Sequence, residues 1–297
     1  IESVATSEES YNYRTPIKFG GTVVDRVTLL NVTVRVSGRN GRSAEGFGSM
    51  PLGNVWSYPS KTLTYDETLR AMQDLAQQFR RITADCREYG HPVELNHLIE
   101  PEWLKVAGAA PKLAALVVGS PFDAAIHDAY GKLHGVSAYR TYTREYLREG
   151  LDRYLGAEFR GDHLESYVMK APKPRMPLYH LVGAVDPITK ADIQRPIGDG
   201  LPETLPEWID YNGLTHLKIK LNGDDIGWDT GRVLAVDGCA AETMARRGIA
   251  NWRYSLDFNE KCPNVEYLLE MLRKVREKTP AGFERIQYVE QPTARDL

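Results

Sequence analysis

The spacing of apolar positions changes character several times along the chain, and each change marks an element. From Val27 to Val36, in "VTLLNVTVRV", β-branched and apolar residues alternate with polar ones, the period of a strand with one buried face. The run leads into Asn40-Gly41, a pair that tolerates positive φ, so a β-hairpin is expected to continue through "GRSAEGFGSM". Leu69, Met72, Leu75, Ala76, Phe79 and Ile82 then recur at helical spacing and predict an amphipathic helix over about residues 65–85. The stretch "SPFDAAIHDAYGKLHG" (120–135) predicts another, with Ser120 as cap, Pro121 in the first turn and Gly135 at the end. Its apolar face is Phe122, Ala125, Ile126, Ala129 and Leu133. Residues 1–20 are polar and show no periodicity, which predicts a mobile tail.

The stiff stretch "APKPRMP" (171–177) divides the chain into an α+β domain over 21–172 and a second domain over 173–297. Beyond it the pattern becomes strand, loop, helix, repeated. Strands are expected over 178–185, 215–221, 252–258 and 285–291. The clearest helix between them is 265–278, with Leu268, Leu269 and Leu272 on one side. Strand starts about 35 residues apart match the repeat of a (β/α)8 barrel, here represented by its first half. An open doubly wound sheet is the alternative, although no glycine-rich phosphate turn follows any strand. Four barrel strands leave two open edges, so the chain is expected to be truncated after the fourth. It opens on Ile1 rather than Met, which leaves a signal peptide open.

Composition narrows the function classes. The 297 residues carry a formal net charge of -3 and no dense Lys/Arg run, so no nucleic-acid partner is expected. No apolar run approaches a membrane span. Cys86, Cys239 and Cys262 are scattered without CxxC spacing, which favours a reducing, cytoplasmic setting and argues against structural zinc.

The candidate chemistry lies in the second domain. In "THLKIKLNG" (215–223), alternation puts Lys218 and Lys220 on one strand face with His216 behind them, and Leu217, Ile219 and Leu221 on the other. The next two strands end in Asp257 ("LDFN") and Glu290 ("VEQP"). Taken singly, such a lysine commonly reaches into solvent and such a carboxylate commonly caps the following helix. At matching ends of successive barrel strands they describe an active site. Converging carboxylates suit Mg²⁺. A lysine acting as base must be neutral, and a second ammonium, a divalent cation and burial all favour that, so Lys218 would make Lys220 a usable base. His91, His97, His127, His216 and Cys262 match no catalytic or metal pattern and are read as structural or incidental.

The series "KIK", "DFN" and "VEQP" resembles the enolase superfamily, in its mandelate racemase/muconate lactonizing branch. The helix "AAIHDAYGK" and the start "RTPIKFGG" with its hairpin resemble that branch's capping domain. The resemblance implies an N-terminal α+β capping domain followed by a (β/α)8 TIM-like barrel. It makes Lys220 the base, Lys218 its electrostatic partner, Asp257 and Glu290 the first two Mg²⁺ ligands, and Asn259 a supporting residue behind them. Met50, Trp56 and Tyr58 would lie in the loop that selects substrate. The implied activity is Mg²⁺-dependent removal of the α-proton of a small carboxylate substrate, first as racemisation or epimerisation. Cycloisomerisation and sugar-acid dehydration are the alternatives within the family, although the Gln of "EQP" leans away from dehydration. A third metal ligand and the opposite-face acid or base are expected beyond Leu297, so the chain alone is expected to be inactive. A homo-oligomer stays open, as does a non-enzymatic binding protein on a degenerate barrel.

Overall fold

A computed structural model describes residues 1–19 and 22–294 of the chain. It divides into two compact units, one made of residues 1–14 and 26–173, the other of residues 15–25 and 174–297.

The first unit is built on a three-stranded sheet in the order β1 (Ser3–Phe19), β2 (Thr22–Ser37), β3 (Ser43–Pro51), of which residues 15–19 of β1 and 22–25 of β2 count with the second unit. β2 and β3 pair antiparallel, with Thr33 opposite Phe47 and Ser37 opposite Ser43, around the Asn40-Gly41 turn. The alternation in β2 is the cause of its burial: Leu30, Val32, Val34 and Val36 all face the core. Of the mobile tail expected over residues 1–20, residues 3–19 are instead this first strand, and residue 20 lies outside the described residues. Its side chains bury little beyond Val4, so no hydrophobic period announces it. It is held by main-chain pairing, beginning with Glu2 N–H to the Arg35 carbonyl at 2.8 Å. Polar cross-strand pairs add to this, Arg35 with Glu2 at 3.0 Å and Asn31 with Glu9 at 2.9 Å.

A short turn of helix, α1 (Asn54–Ser57), leads to α2 (Tyr65–Asp85), whose Thr64 and Glu67 form a reciprocal cap. α3 (Pro92–Ala107) follows, then α4 (Lys112–His134) and the single turn α5 (Asp152–Leu155). Phe79, Trp103 and Phe122, from α2, α3 and α4, meet ring to ring at the centre, with Phe79 stacked on Trp103 at 5.2 Å. α4 starts eight residues before the expected Ser120 cap and runs through Pro121. The burial of Ala114, Ala115, Val117 and Val118 outweighs the hydrogen bond that Pro121 cannot make.

α4 lies directly on the backbone of β3. A Cβ on Gly46 would stand 2.1 Å from the Ala125 carbonyl oxygen and 2.2 Å from the Ala129 nitrogen; one on Gly48 would stand 2.1 Å from the Pro121 oxygen. Two strand residues advance about 6.8 Å and four helical residues about 6 Å, so the two glycines keep step with Pro121, Ala125 and Ala129. Asp128 reinforces the contact by accepting the Phe47 N–H at 2.9 Å.

The second unit is a parallel sheet in the order β4 (Tyr179–Val182), β5 (His216–Lys220), β6 (Arg253–Asp257), β7 (Ile286–Glu290). Helices α6 (Leu205–Asn212), α7 (Ile226–Arg246), α8 (Val265–Lys278) and α9 (Pro280–Arg285) connect the strands. β4 is half the expected length, because Gly183 turns the chain and donates its N–H to Asp186 at 2.7 Å. Leu217 and Ile219 of β5, Tyr254 and Leu256 of β6, and Val233, Val236 and Ala240 of α7 share one core. α8 buries Met271 and Val275 with Leu268 and Leu272 beside them, while Leu269 faces solvent rather than joining that side. Asp237 of α7 is buried against Arg285 at 2.8 Å and Thr279 at 3.2 Å. Among the described residues, no helix is long and apolar enough to cross a membrane.

The contact between α4 and β3 can be tested directly. Gly46→Ala is expected to destabilise the first unit by about 3 kcal/mol, the upper end for overpacking, because backbone atoms rather than side-chain ends stand in the way. Denaturant unfolding measures it, and a change below about 0.5 kcal/mol would show that the helix can move aside freely.

Candidate active site

Parallel pairing in register places the ionisable residues in one row. Lys220 lies opposite Asp257, and Asp257 opposite Glu290, at the carboxyl ends of β5, β6 and β7. Lys218 is one step back on the same face, opposite Ser255 and Leu181. Because Leu217 and Ile219 are committed to the core, the lysines have no other face to occupy.

The four charged groups make one cluster. Lys218 Nζ donates to both oxygens of Glu290 at 2.7 Å and stands 3.0 Å from Asp257 Oδ2. Lys220 Nζ donates to the same Asp257 Oδ2 at 2.5 Å and to Asn259 Oδ1 at 3.2 Å. The Lys218 ammonium also lies 5.6 Å from the centre of the Tyr179 ring. Side-chain exposure is 9% at Lys218, 6% at Lys220 and 1% at Asp257, against 33% at Glu290, so Glu290 is the member that meets solvent.

Burial acts to lower both lysines, and the outcome differs between them. At Lys218 the hydrogen bonds and charges of Glu290 and Asp257 outweigh burial, and its pKa is raised. At Lys220 burial prevails over the pull of Asp257, with help from the Lys218 charge, and its pKa is lowered. Burial acts to raise Asp257, but the Lys220 hydrogen bond and charge outweigh it and hold the carboxyl low.

The backbone turns sharply behind both carboxylates. Asn259, Glu260 and Gln291 adopt left-handed φ values of 50°, 65° and 42°. Such conformations persist where surrounding contacts over-determine them. Here Asn259 N–H donates to Asp257 Oδ1 at 2.9 Å, Glu260 N–H to the Gln291 carbonyl at 2.7 Å, and Cys262 N–H to the Pro292 carbonyl at 2.8 Å. The loops after β6 and β7 therefore stay paired beyond the strands, with Asn259 fixed under Lys220.

Two contributors carry no signal in the sequence that points to this site. Lys18, placed in the tail by its polar surroundings, donates to Asn222 Oδ1 at 3.2 Å, two residues past Lys220. Asp229, in the first turn of α7, accepts N–H groups of Asn222 and Gly223 and the Tyr267 hydroxyl. A carboxylate in a helix's first turn ordinarily reads as a favourable dipole contact.

Each remaining candidate has its own local setting. Met50, Trp56 and Tyr58 belong to the first unit, half-buried against its core. His91 caps α3, accepting the Val93 N–H at 3.1 Å, and burial with the His127 charge pushes its imidazole down to about 4. His127 pairs with Asp123, and His97 packs edge-on to Tyr154. His216 bonds to Thr215 at 2.9 Å. Burial pushes the Cys262 thiol up to about 12, away from nucleophilic use.

Among the described residues, no group of three or more His, Cys, Asp or Glu side chains gathers to hold a metal ion. Asp257 and Glu290 form a pair, and both reach the Lys218 ammonium. Two hard carboxylates that already converge on one cation are a donor set that fits Mg²⁺.

No protein-family model matches the chain, and no protein of described function matches it by sequence. Solved structures match it by fold. The L-Ala-D/L-Glu epimerase of Bacillus subtilis superposes with a TM-score of 0.58 at 17% identity over 100% of this chain and 62% of its own. A dipeptide epimerase of Enterococcus faecalis, solved with Mg and the dipeptide L-Leu-L-Tyr, gives 0.62 at 15% identity over 99% and 61%. An N-succinyl Arg/Lys racemase of Bacillus cereus gives 0.58 at 13% identity over 99% and 60%. Further matches include a mandelate racemase/muconate lactonizing protein of Herpetosiphon aurantiacus. The chain thus has the fold of these enzymes, a capping unit followed by the first strands of the barrel, and spans about three fifths of their length.

The buried cluster leaves a mark on acid stability. The folded pKa of Asp257 lies below its unfolded value, so between the two the unfolded chain binds the extra proton and stability falls as pH drops. Urea unfolding followed from about pH 7 to about pH 3 is expected to show this loss beginning near the ordinary carboxylate value of about 3.9. Asp257→Asn should flatten the slope, and an unchanged slope would assign the loss to other carboxylates.

Proposed function

We propose that the whole protein removes the α-proton of a small carboxylate substrate to give an enolate and returns a proton to the opposite face, as a racemase or epimerase. The observation that carries this reading is the pair of buried lysines with opposed pKa shifts, sharing carboxylates at the ends of adjacent parallel strands. Barrel enzymes place their chemistry at those strand ends. Epimerase and racemase activities among the fold's relatives support the same choice.

Lys220 takes the proton at Nζ. Its lowered pKa brings the neutral amine closer to working pH, and Asn259 and Asp257 fix the direction of its lone pair. Lys218 stays charged, because its pKa moves the other way, and supplies a fixed positive charge for the oxygen that becomes negative. Asp257 and Glu290 would hold Mg²⁺, which when bound stabilises the charge developing on the substrate carboxylate. Glu290, the half-exposed member, presents that site to solvent. Dipeptides are the first substrates to try, since several relatives were solved with a dipeptide bound.

Incubation of the whole protein with dipeptides and Mg²⁺ in deuterated buffer, followed by mass spectrometry, tests the reading. Wash-in of one deuterium at the α-carbon is expected. Lys220→Ala should slow exchange from one enantiomer by about 10²–10⁴-fold, the usual share of general acid–base catalysis, while Mg²⁺ affinity by calorimetry persists. Exchange at the parental rate in that variant would remove Lys220 from the mechanism. A parent that binds no Mg²⁺ would favour a binding protein instead.

A further inference from the structure

Asp229 is fully buried at the start of α7 and touches neither Lys218 nor Lys220 through any hydrogen bond described above. Its carboxylate nevertheless has more to hold than a helix end requires. The end of α7 is already capped by Asp225, which accepts the Gly227 and Trp228 N–H groups, both at 2.9 Å. Asp229 instead turns back to the loop that leaves β5. Oδ1 accepts the Asn222 N–H at 2.8 Å and Oδ2 the Gly223 N–H at 2.9 Å. Oδ2 also accepts the Tyr267 hydroxyl at 2.7 Å, from the first turn of α8.

Those bonds fix the chain two residues past Lys220, and the effect continues to the next loop. Gly223 has a φ of +76°, and a Cβ there would stand 2.8 Å from Lys261 Cβ and 2.9 Å from the Cys262 nitrogen. The loop after β5 is thereby pressed against the loop after β6, which carries Asn259, the second acceptor of the Lys220 amine. Tyr267 ties the helix that follows that second loop to the same carboxylate. One buried anion thus sets the backbone under Lys220 and braces the backbone under its partner.

We infer that Asp229, with Tyr267, is a positioning residue that locks the loops after β5 and β6 against each other and so fixes where the Lys220 side chain stands. It rests on the proposed reading of Lys220 as the proton-transferring group, but its test needs neither substrate nor turnover. The probe is an acetylating N-hydroxysuccinimide ester at one fixed pH, with labelling of each lysine read by peptide mass spectrometry. Asp229→Asn keeps the shape but turns an amide N–H towards a backbone donor, which leaves one of them unsatisfied. Acetylation of Lys220 is expected to accelerate about tenfold relative to exposed lysines, as loss of about one charge-assisted hydrogen bond would shift a local opening. Tyr267→Phe should move Lys220 in the same direction by a smaller factor. Asp237→Asn, a buried aspartate on the same helix, serves as control and should leave the Lys220 rate unchanged even where it lowers the melting temperature. Equal acceleration in the Asp237 and Asp229 variants would reduce the effect to general loosening and overturn the inference. So would parental Lys220 labelling in Asp229→Asn, or in Tyr267→Phe should the first variant not fold. Failure of α-proton exchange in the parent would instead overturn the functional reading and leave the labelling result standing.

Discussion

The second unit is organised around one oxygen atom. Asp257 Oδ2 is within 3.0 Å of the Lys218 ammonium and 2.5 Å of the Lys220 ammonium, inside an almost fully buried group. Two like charges held this close are tolerable only while a carboxylate lies between them, and burying that carboxylate is tolerable only while they face it. Glu290 completes the balance, two positive against two negative groups. The tie is conditional, because Asp257 is the main influence that opposes burial and the Lys218 charge in lowering the Lys220 pKa. Whatever draws Asp257 away tips Lys220 towards its neutral form.

Such a cluster demands a backbone that cannot relax. Parallel in-register pairing supplies the row, but strand ends are where ladders fray and loops begin. Here the ladder is extended past the strands by the Glu260–Gln291 and Cys262–Pro292 bonds, and left-handed residues turn the chain within one or two positions of each carboxylate. The loop after β5 keeps one such bond, Leu221 N–H to the Asp257 carbonyl at 2.9 Å, and past it Asp229 and the close approach at Gly223 hold the chain. The supporting shell thus uses a different device on each side of Asp257.

The sequence revealed those features whose cause is local. Helix α2 shows its period in residues 69–82, and Lys218, Lys220, Asp257 and Glu290 stand out because alternation and strand spacing put them in phase. The first strand was illegible for the opposite reason: its pairing is made by backbone and by polar side chains whose partners lie dozens of residues away. Pro121 misled because local rules favour proline in the first turn of a helix, whereas the burial that carries α4 through it belongs to the whole unit. Asp229 had an ordinary local role available and a non-local one in fact. The seat of α4 on Gly46 and Gly48 went unread, because glycine in a strand does not name what approaches it.

This contrast also separates what stabilises from what works. The first unit rests on interlocking apolar surfaces, the Phe79, Trp103 and Phe122 rings and the α4 backbone seated on β3. In the second unit an apolar isostere of the Lys218, Lys220, Asp257 cluster would in general fold at least as well, since buried ion pairs seldom exceed hydrophobic packing in net stability. Stability therefore gives no reason for four ionisable groups to meet on one sheet face, three of them nearly sealed from water. A buried ionisable cluster of this kind, backed by three non-glycine residues in left-handed conformations, has the physical marks of a candidate functional site.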